Sequence, residues 1–336
     1  MILSEKIIDK VISNKSKLGE VKFIHEKELK KYADLYELSF LRKIKILIKR
    51  LILRFLYKVG FKKLVYNKAR STSNVKKKYD NISGSYIKKF EDKKKTDKGY
   101  LAYDNRDRSY LLIKKKPIDH PSYVLGEFYK KFDCKSVIEV GAGELTTFYN
   151  FINKINNKSK LGTTAALDLS TKRLLKGKEF LKKKKIDIDF LISSNATNIP
   201  LPDNSFDLVF SHNCIEQAPM IAQNIIDEMV RISSNIIIFI EPSFEFGNQW
   251  SRNKILGKGY PIFLKRSFKN KYTDLIYRNG LPFTRCENFS EIVILKKKNN
   301  KKNKINLYNK NLEEYIDKKN SKYMPYKKIN EVFEFY

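Results

Sequence analysis

The chain has 336 residues, of which 42% are hydrophobic and 32% charged, so it can bury a packed core and is not expected to be disordered throughout. Its 69 lysines and arginines exceed its 37 aspartates and glutamates by 32, which excludes an acidic solvating protein and favours anionic partners. An A/T-rich coding sequence would also enrich Lys, Asn, Ile, Tyr and Phe together. The position of the charge is therefore more informative than its total.

Cysteine content and hydropathy limit the class of protein further. The three cysteines, Cys134, Cys214 and Cys286, lie far apart and form no Cys-x-x-Cys pair or Cys/His cluster. We therefore expect neither a disulfide scaffold nor a metal site. The first residues lack the apolar core of a secretory signal, and no stretch approaches the ~20 apolar residues of a membrane-spanning helix. A reducing, cytoplasmic compartment is the expected location.

Composition divides the chain into four zones. Residues 1–78 are a basic helical extension, and residues 79–135 form a cap or linker region. In residues 136–298 short apolar runs alternate with helical patterns, and residues 299–336 are a Lys/Asn-rich tail that ends in aromatic side chains.

Residues 41–59 predict an amphipathic basic helix. Apolar side chains recur there at spacings of three and four, namely Leu41, Ile44, Ile48, Leu51, Ile52, Phe55 and Val59. Lysines and arginines fill the remaining arc, and residues 38–79 contain no Asp or Glu. Such a helix can lie on an anionic membrane surface with its cations at headgroup depth. It can equally pack its apolar face on the protein, and the spacing alone does not separate the two arrangements.

Residues 136–298 predict an α/β fold with a doubly wound, mostly parallel sheet of seven strands. Five buried strands are Ser136–Val140, Thr163–Leu169, Ile186–Ile192, Phe206–Ser211 and Ile236–Glu241, followed by a closing antiparallel pair, Phe283–Glu287 and Glu291–Lys296. The helices between them are Glu144–Ile155, Lys172–Lys182 and Ile221–Ile232. Strands separated by helices form βαβ units, which is the basis for the parallel sheet.

Two features at the carboxyl ends of these strands favour a nucleoside site. The first strand runs into a turn with two glycines, Gly141 and Gly143, which let the backbone approach a ligand closely. Asp168 ends the second strand, 25 positions after Gly143, and can accept both hydroxyls of a ribose. A strand-end Asp can also cap the helix that follows it, but the turn beside it favours the ribose.

A third segment, Asn195-Ala196-Thr197-Asn198-Ile199-Pro200-Leu201-Pro202-Asp203-Asn204-Ser205-Phe206-Asp207, follows the third strand. With Val-Ile-Glu-Val-Gly-Ala-Gly and Leu-Asp-Leu-Ser before it, this segment resembles the class I S-adenosylmethionine-dependent methyltransferases, in particular the type 11-like branch. The resemblance covers roughly residues 136–298 and implies a Rossmann-like sheet. It implies S-adenosyl-L-methionine as cofactor, bound by Glu139, Gly141, Ala142, Gly143, Asp168, Asn195, Ala196 and Ser211. Upstream, Tyr79-Asp80-Asn81-Ile82-Ser83 through Tyr86 resembles the family's N-terminal cap over the cofactor.

Two departures from the family pattern affect the site. Leu145 stands where the turn normally has its third glycine, so the first helix must start differently. Asn195 replaces the aspartate that reads adenine, and its uncharged amide oxygen implies weaker cofactor binding. A non-catalytic binding protein on an inherited fold therefore stays an alternative.

Methyl transfer requires alignment of the acceptor with the methyl group, and a hydroxyl or amine acceptor can also need a base. The candidates are His212 and Glu216 after the fourth strand and Glu241 at the end of the fifth. His212 is alternatively a hydrogen-bonding partner of the cofactor or backbone.

The stretch around Glu241-Pro242-Ser243 resembles a bacterial branch that often accompanies surface-polysaccharide biosynthesis. The leading hypothesis is therefore O-methylation of a small molecule or glycan, such as a sugar nucleotide or lipid-linked saccharide, by in-line SN2 displacement. Residues 41–59 would then hold a peripheral enzyme at the inner face of the membrane. The net charge keeps RNA methylation as an alternative, although no motif of a base-methylating enzyme and no RNA-binding module is recognisable.

Overall fold

The computed structural model describes residues 4–15, 18, 20–25, 28–29, 44, 48, 51–52, 55–56, 59–60, 71–95, 100–114, 120–155, 162–260, 268, 270–298 and 326–335. Their strands are Glu20–Ile24 (β1), Tyr100–Asp104 (β2), Ser109–Lys114 (β3), Val137–Val140 (β4), Thr164–Asp168 (β5), Phe190–Ser193 (β6), Phe206–His212 (β7), Ser233–Pro242 (β8), Thr273–Gly280 (β9), Thr284–Arg285 (β10), Ser290–Lys297 (β11), Tyr326–Ile329 (β12) and Val332–Phe335 (β13). Their principal helices are Glu5–Ile12 (α1), Thr72–Asn81 (α2), Ser85–Lys95 (α3), His120–Lys131 (α4), Thr146–Lys154 (α5), Thr171–Lys183 (α6), Ala222–Ile232 (α7) and Gln249–Lys258 (α8).

The larger sheet is mixed, with a parallel centre. Its order is β12-β13-β6-β5-β4-β7-β8-β11-β9, and every neighbouring pair from β13 to β8 is parallel. The chain leaves β4 for β5 and β6 on one side and then crosses to β7 and β8 on the other. The carboxyl ends of β4, β5 and β7 therefore meet where the crossovers diverge, which is where ligands bind in such sheets.

Side chains of the central strands pack alternately on the two faces of this sheet. In β8, Ile236, Ile238 and Ile240 belong to one apolar cluster, whereas Ile237 and Phe239 belong to the other. All five are fully buried. Both faces of a parallel sheet are covered in this way, which is why its strands read as continuous apolar runs in the sequence.

The observed sheet differs from the predicted seven strands at its antiparallel end. β11 pairs with β8 on one side and with β9 on the other, not with the predicted strand Phe283–Glu287. Only Thr284 and Arg285 of that stretch form a strand, and they pair with β2 in another sheet. β9 is an edge strand with only three of its eight residues buried, so its sequence lacks the apolar run by which buried strands are recognised.

The chain's end adds two more strands on the opposite edge. β13 pairs in parallel with β6, and β12 turns back along β13. Val332, Phe333 and Phe335 are buried there. The sequence assigned these residues to a Lys/Asn-rich tail, whereas they complete the sheet edge beside β6.

A second sheet, of order β1-β3-β2-β10, is wholly antiparallel. It combines a strand of the predicted basic extension, two of the predicted cap region and one of the predicted methyltransferase zone. The zones inferred from composition are therefore interleaved in space.

Part of the predicted basic helix at 41–59 falls within the described residues. Ile44, Ile48, Leu51, Ile52 and Phe55 are helical there, and their side chains are 37–66% exposed. The lysines and arginines of this helix lie outside the described residues. No helix of the described part of the chain is both long enough and apolar enough to cross a membrane.

Candidate active site

The turn after β4 requires glycine at two positions for steric reasons. Gly141 and Gly143 have φ angles of 78° and 55°, in the left-handed region that side chains disfavour. A Cβ on Gly141 would lie 2.4 Å from the sulfur of Cys214, and one on Gly143 would lie 2.2 Å from the guanidinium of Arg173. The turn thus brings bare backbone to the carboxyl end of the sheet.

Leu145, which replaces the expected third glycine, adopts the left-handed conformation itself, with φ of 59°. An L-residue pays about 1–2 kcal/mol for this conformation. Leu145 is fully buried in the core, and Gly177 of α6 provides the space for it, since a Cβ on Gly177 would lie 2.6 Å from Leu145 Cγ. The departure seen in the sequence is therefore accommodated by a second glycine on a neighbouring helix.

Asp168 faces the glycine turn from the end of β5. Its Oδ2 accepts a hydrogen bond of 2.8 Å from the N–H of Gly143, and its Oδ1 accepts one of 2.9 Å from the N–H of Ser170. The Arg173 guanidinium lies 3.8 Å from Oδ2. The N-cap of α6 is Ser170, not Asp168 as the capping alternative expected; Asp168 holds the N–H of Ser170 and presents a carboxylate beside the turn.

A cavity of about 1180 Å³ lies at this end of the sheet. It brings together most of the predicted site residues, namely Glu139, Gly141, Ala142, Asp168, Asn195, Ala196, His212 and Glu216. The other three predicted residues, Gly143, Ser211 and Glu241, do not line the cavity. Asn195 uses its Oδ1 to accept from the N–H of Thr197 at 3.1 Å, which shapes the turn that follows β6.

Residues 79–86 lie over the glycine turn as a cap. Glu144, which follows the turn, holds this cap in place through hydrogen bonds. The Glu144 carboxylate accepts hydrogen bonds of 2.8–3.0 Å from the N–H groups of Gly84, Tyr86 and Ile87, at the start of α3. An anion is well placed there because these N–H groups have no partner within the helix. Asp80 adds a second connection by accepting from the hydroxyl of Ser170.

Arg173 connects the cap to the two carboxylates beside the glycine turn, Glu144 and Asp168. Its guanidinium lies 4.7 Å from the ring centroid of Tyr79 and 4.9 Å from that of Tyr86, and its Nε lies 3.7 Å from Glu144. Sequence reasoning missed both Glu144 and Arg173. The available signals were an acid directly after the glycine turn and an arginine three residues after the helix-capping Ser170.

Glu216 lies in the cavity wall on a short 3₁₀ turn, Ile215–Gln217, after β7. Its side chain is buried, and this burial raises the pKa of Glu216 to about 7 although Lys258 and Lys254 lower it. The Gln217 amide donates to Oε1 of Glu216 and also lies 3.3 Å from the Tyr260 hydroxyl. A carboxyl with this pKa exchanges protons near neutral pH.

Glu241 does not reach the cavity, in contrast to its predicted catalytic position. Its Oε1 accepts from Ser211 Oγ at 3.0 Å and from the N–H groups of Cys214 and Ile215 at 3.1 and 3.2 Å, while Oε2 accepts from the N–H of Glu216 at 3.3 Å. Burial and the nearby Glu216 raise the pKa of Glu241 to about 8. Glu241 and Ser211 thus hold the turn that carries Glu216.

Two histidines line the cavity. His212, at the end of β7, has its Nδ1 3.1 Å from the Thr147 hydroxyl. His120, at the start of α4, has its Nε2 2.9 Å from the carbonyl oxygen of Ile12. The sequence placed only His212 at the site, because His120 precedes the predicted sheet and only the fold brings α4 to its edge.

Residues 139–235, which contain the glycine turn, Asp168 and Glu216, match the family described as a methyltransferase domain. The protein is an S-adenosylmethionine-dependent methyltransferase. A comparison with curated proteins finds no match.

Several solved structures resemble the methyltransferase in fold. An S-adenosylmethionine-dependent methyltransferase from Aquifex aeolicus is 15% identical, with 52% of this chain and 89% of that chain covered and a TM-score of 0.36. The YcgJ protein from Bacillus subtilis is 15% identical, with 53% and 98% covered and a TM-score of 0.40. The trans-methyltransferase CalH, in complex with S-adenosylhomocysteine, is 12% identical, with 52% and 55% covered and a TM-score of 0.42.

The residues of the cavity fit S-adenosylmethionine, the cofactor of the methyltransferase. Gly141 and Ala142 of the turn line the cavity, so the backbone there can approach a ligand closely. Asp168 presents a carboxylate suited to ribose hydroxyls, and Glu139 lines the cavity at the end of β4. Tyr79 and Tyr86 of the cap line the same space and can exclude water from it.

Proposed function

We propose that the methyltransferase methylates a hydroxyl oxygen of a small-molecule or glycan acceptor, such as a sugar nucleotide or a lipid-linked saccharide, in surface-polysaccharide biosynthesis. The observation that supports a hydroxyl acceptor is Glu216, a buried carboxyl in the cavity wall whose pKa is raised to about 7. A hydroxyl must lose its proton as it is methylated, and a base with a pKa near the working pH is the most effective one.

Other polar side chains of the cavity are less suited to act as the base. Burial raises the pKa values of Tyr79 and Tyr86 above the ordinary value for a phenol, so both are neutral donors. Burial also raises the pKa of Cys214 well above its ordinary value, and its thiol therefore stays protonated. His212 has one ring nitrogen engaged with Thr147, which suits it to orienting the acceptor or the cofactor.

In the proposed mechanism, bound S-adenosylmethionine supplies a methyl group that is electrophilic because it is attached to a sulfonium. Glu216 accepts the proton of the acceptor hydroxyl, and Gln217 fixes the position of that carboxylate. Glu241 keeps the turn in place through its contacts with the N–H groups of residues 214–216. Tyr79 and Tyr86 shield the reacting groups from water, as a transfer to an acceptor other than water requires.

The test is Glu216→Gln, assayed with a panel of sugar nucleotides and polyprenyl-diphosphate saccharides by mass spectrometry of the products. Because the amide cannot take a proton, we expect kcat to fall at least about 100-fold, with unchanged affinity for S-adenosylhomocysteine. Glu179→Gln on the exposed face of α6 serves as the matched control. Wild-type methylation of an amine or of RNA, or full activity of Glu216→Gln, would contradict the proposal.

We further propose that the methyltransferase acts at the surface of an anionic membrane. Ile44, Ile48, Leu51, Ile52 and Phe55 present an exposed apolar stripe, and the stretch 38–79 has 14 lysines and arginines but no acid. An apolar stripe flanked by cations matches the boundary between acyl chains and anionic headgroups.

Flotation with vesicles that contain 30% phosphatidylserine tests this second proposal. We expect wild-type protein to float, and Ile48→Asp with Phe55→Asp to remain in the bottom fraction. Leu275→Asp, at a side chain that is also 50% exposed, should float like the wild type. Equal flotation on neutral vesicles, or flotation of the double variant, would contradict it.

A further inference from the structure

Three cations converge at the end of the cavity that holds Glu216. Lys254 and Lys258 lie one turn apart on α8, and Arg285 lies at the end of β10. All three line the cavity together with Glu216 and Glu287. The two lysines come from a helix that follows β8, whereas Arg285 belongs to the second sheet.

The acidic side chains nearby neutralise this cluster only in part. Arg285 lies 3.5 Å from Glu287 and is further placed by the ring of Tyr100, whose centroid lies 5.2 Å from its guanidinium carbon. Three cations face two carboxylates here, Glu216 and Glu287, so one positive charge stays uncompensated even when both carboxylates are ionised. The cluster therefore carries an excess of positive charge.

Among the three cations, Lys254 gives the strongest argument that an anion binds at this cluster. It is half-buried, and among the described residues it forms no ion pair or hydrogen bond. Burial lowers the pKa of Lys254 and the charge of Lys258 lowers it further, whereas Glu287 and Glu216 offset this shift only in part. Partly buried ammonium groups are costly unless an anion compensates them, and like charges one helical turn apart repel. An anionic ligand would relieve both costs.

We infer that Lys254, Lys258 and Arg285 form a subsite for a phosphate or diphosphate group of the methyl acceptor. Two ammonium groups and a guanidinium suit a multiply charged phosphoryl group, to which each can donate charge-assisted hydrogen bonds. The three cations line the same cavity as the glycine turn and Asp168, but none of them is among the residues assigned to the cofactor. The inference rests on the proposed function, since it defines the acceptor whose hydroxyl Glu216 would deprotonate.

Calorimetric titration with inorganic pyrophosphate, in the presence of saturating S-adenosylhomocysteine, tests the subsite directly. We expect wild-type protein to bind pyrophosphate with an affinity that falls as salt is raised, and Lys254→Met to bind it at least tenfold more weakly. Lys271→Met, at an exposed lysine outside the cavity, is the matched control and should bind as the wild type does. No binding by the wild type, or equal binding by Lys254→Met with intact S-adenosylhomocysteine affinity, would overturn the inference.

Two further ligands distinguish a nucleotide-linked acceptor from a lipid-linked one. Tighter binding of UDP than of pyrophosphate would support a nucleotide-linked acceptor, and tighter binding of farnesyl diphosphate would support a lipid-linked one.

The variant Glu216→Gln separates this inference from the proposed function, and it should retain pyrophosphate binding. If pyrophosphate binding depends on Lys254 but the methylated atom is not a hydroxyl oxygen, the proposed function fails and the anionic subsite stands.

Discussion

Two backbone N–H groups fix the carboxylate of Asp168, one from Gly143 and one from Ser170. This side chain is therefore held in place by the turn and by the start of α6 before any ligand binds. Preorganisation of this kind reduces the cost of binding, because little side-chain freedom is lost on contact with the ligand.

We predict that Asp168→Ala weakens S-adenosylmethionine binding at least tenfold, about 1.4 kcal/mol, in calorimetric titrations. The reason is the loss of the carboxylate suited to the ribose hydroxyls and of support for the Gly143 N–H. Asp187→Ala, at an exposed aspartate before β6, is the control and should bind as the wild type does. Unchanged affinity in a folded Asp168→Ala variant would remove Asp168 from the cofactor site.

At the scale of elements, the start of α5 depends on α6. The left-handed Leu145 can be buried only because Gly177 leaves room for its side chain. Glycine inside a helix costs about 1 kcal/mol relative to alanine, so α6 gives up helical stability at this position. The two residues form a compensating pair across the boundary between two helices.

This pairing predicts a non-additive mutant cycle. Gly177→Ala should destabilise the protein by about 1–3 kcal/mol, because its Cβ would overlap Leu145 Cγ and crowd the backbone of Glu144. In the Leu145→Gly background the same substitution should cost less, since the overlap with Leu145 disappears while the contact with Glu144 remains. Urea unfolding of the four proteins measures the coupling, and strict additivity would show that the two positions are independent.

At the scale of the whole molecule, buried carboxyls make stability depend on pH. Burial raises the folded-state pKa values of Glu216 and Glu291 to about 7 and that of Glu241 to about 8, whereas an unfolded glutamate titrates near 4.5. Between these values the folded state binds more protons than the unfolded state. Stability is therefore highest at the acidic side of this window and falls as the pH rises through it.

We predict that the Tm decreases as the pH is raised from 5.5 to 8 at constant ionic strength. Glu216→Gln should flatten this decrease over pH 5.5–7, because the variant has no carboxyl to ionise at that position. Calorimetric scans of both proteins across the window provide the comparison. An identical slope for both would mean that Glu216 does not titrate differently in the folded and unfolded states.

The sequence by itself determined the centre of this protein. Its key features are each encoded within a few neighbouring residues, as apolar runs, turns and polar strand ends. They are the glycine turn after β4, Asp168 at the end of β5 and Glu216 after β7. Local patterns of this kind are legible without knowledge of the fold. They also sufficed to predict the five central parallel strands and a nucleoside site, whereas the cofactor was implied by the resemblance of these motifs to a methyltransferase family.

Only the tertiary structure decided what surrounds that centre. Glu144 contacts the start of α3 across about 60 residues of chain. Lys254 of α8 and Arg285 of the second sheet line the same cavity. The terminal strand β13 pairs with β6, and β12 with β13, although low-complexity sequence precedes them. Such contacts join segments that are distant in the chain, and no local periodicity specifies them, because they depend on which surfaces remain to be covered once the central sheet has formed.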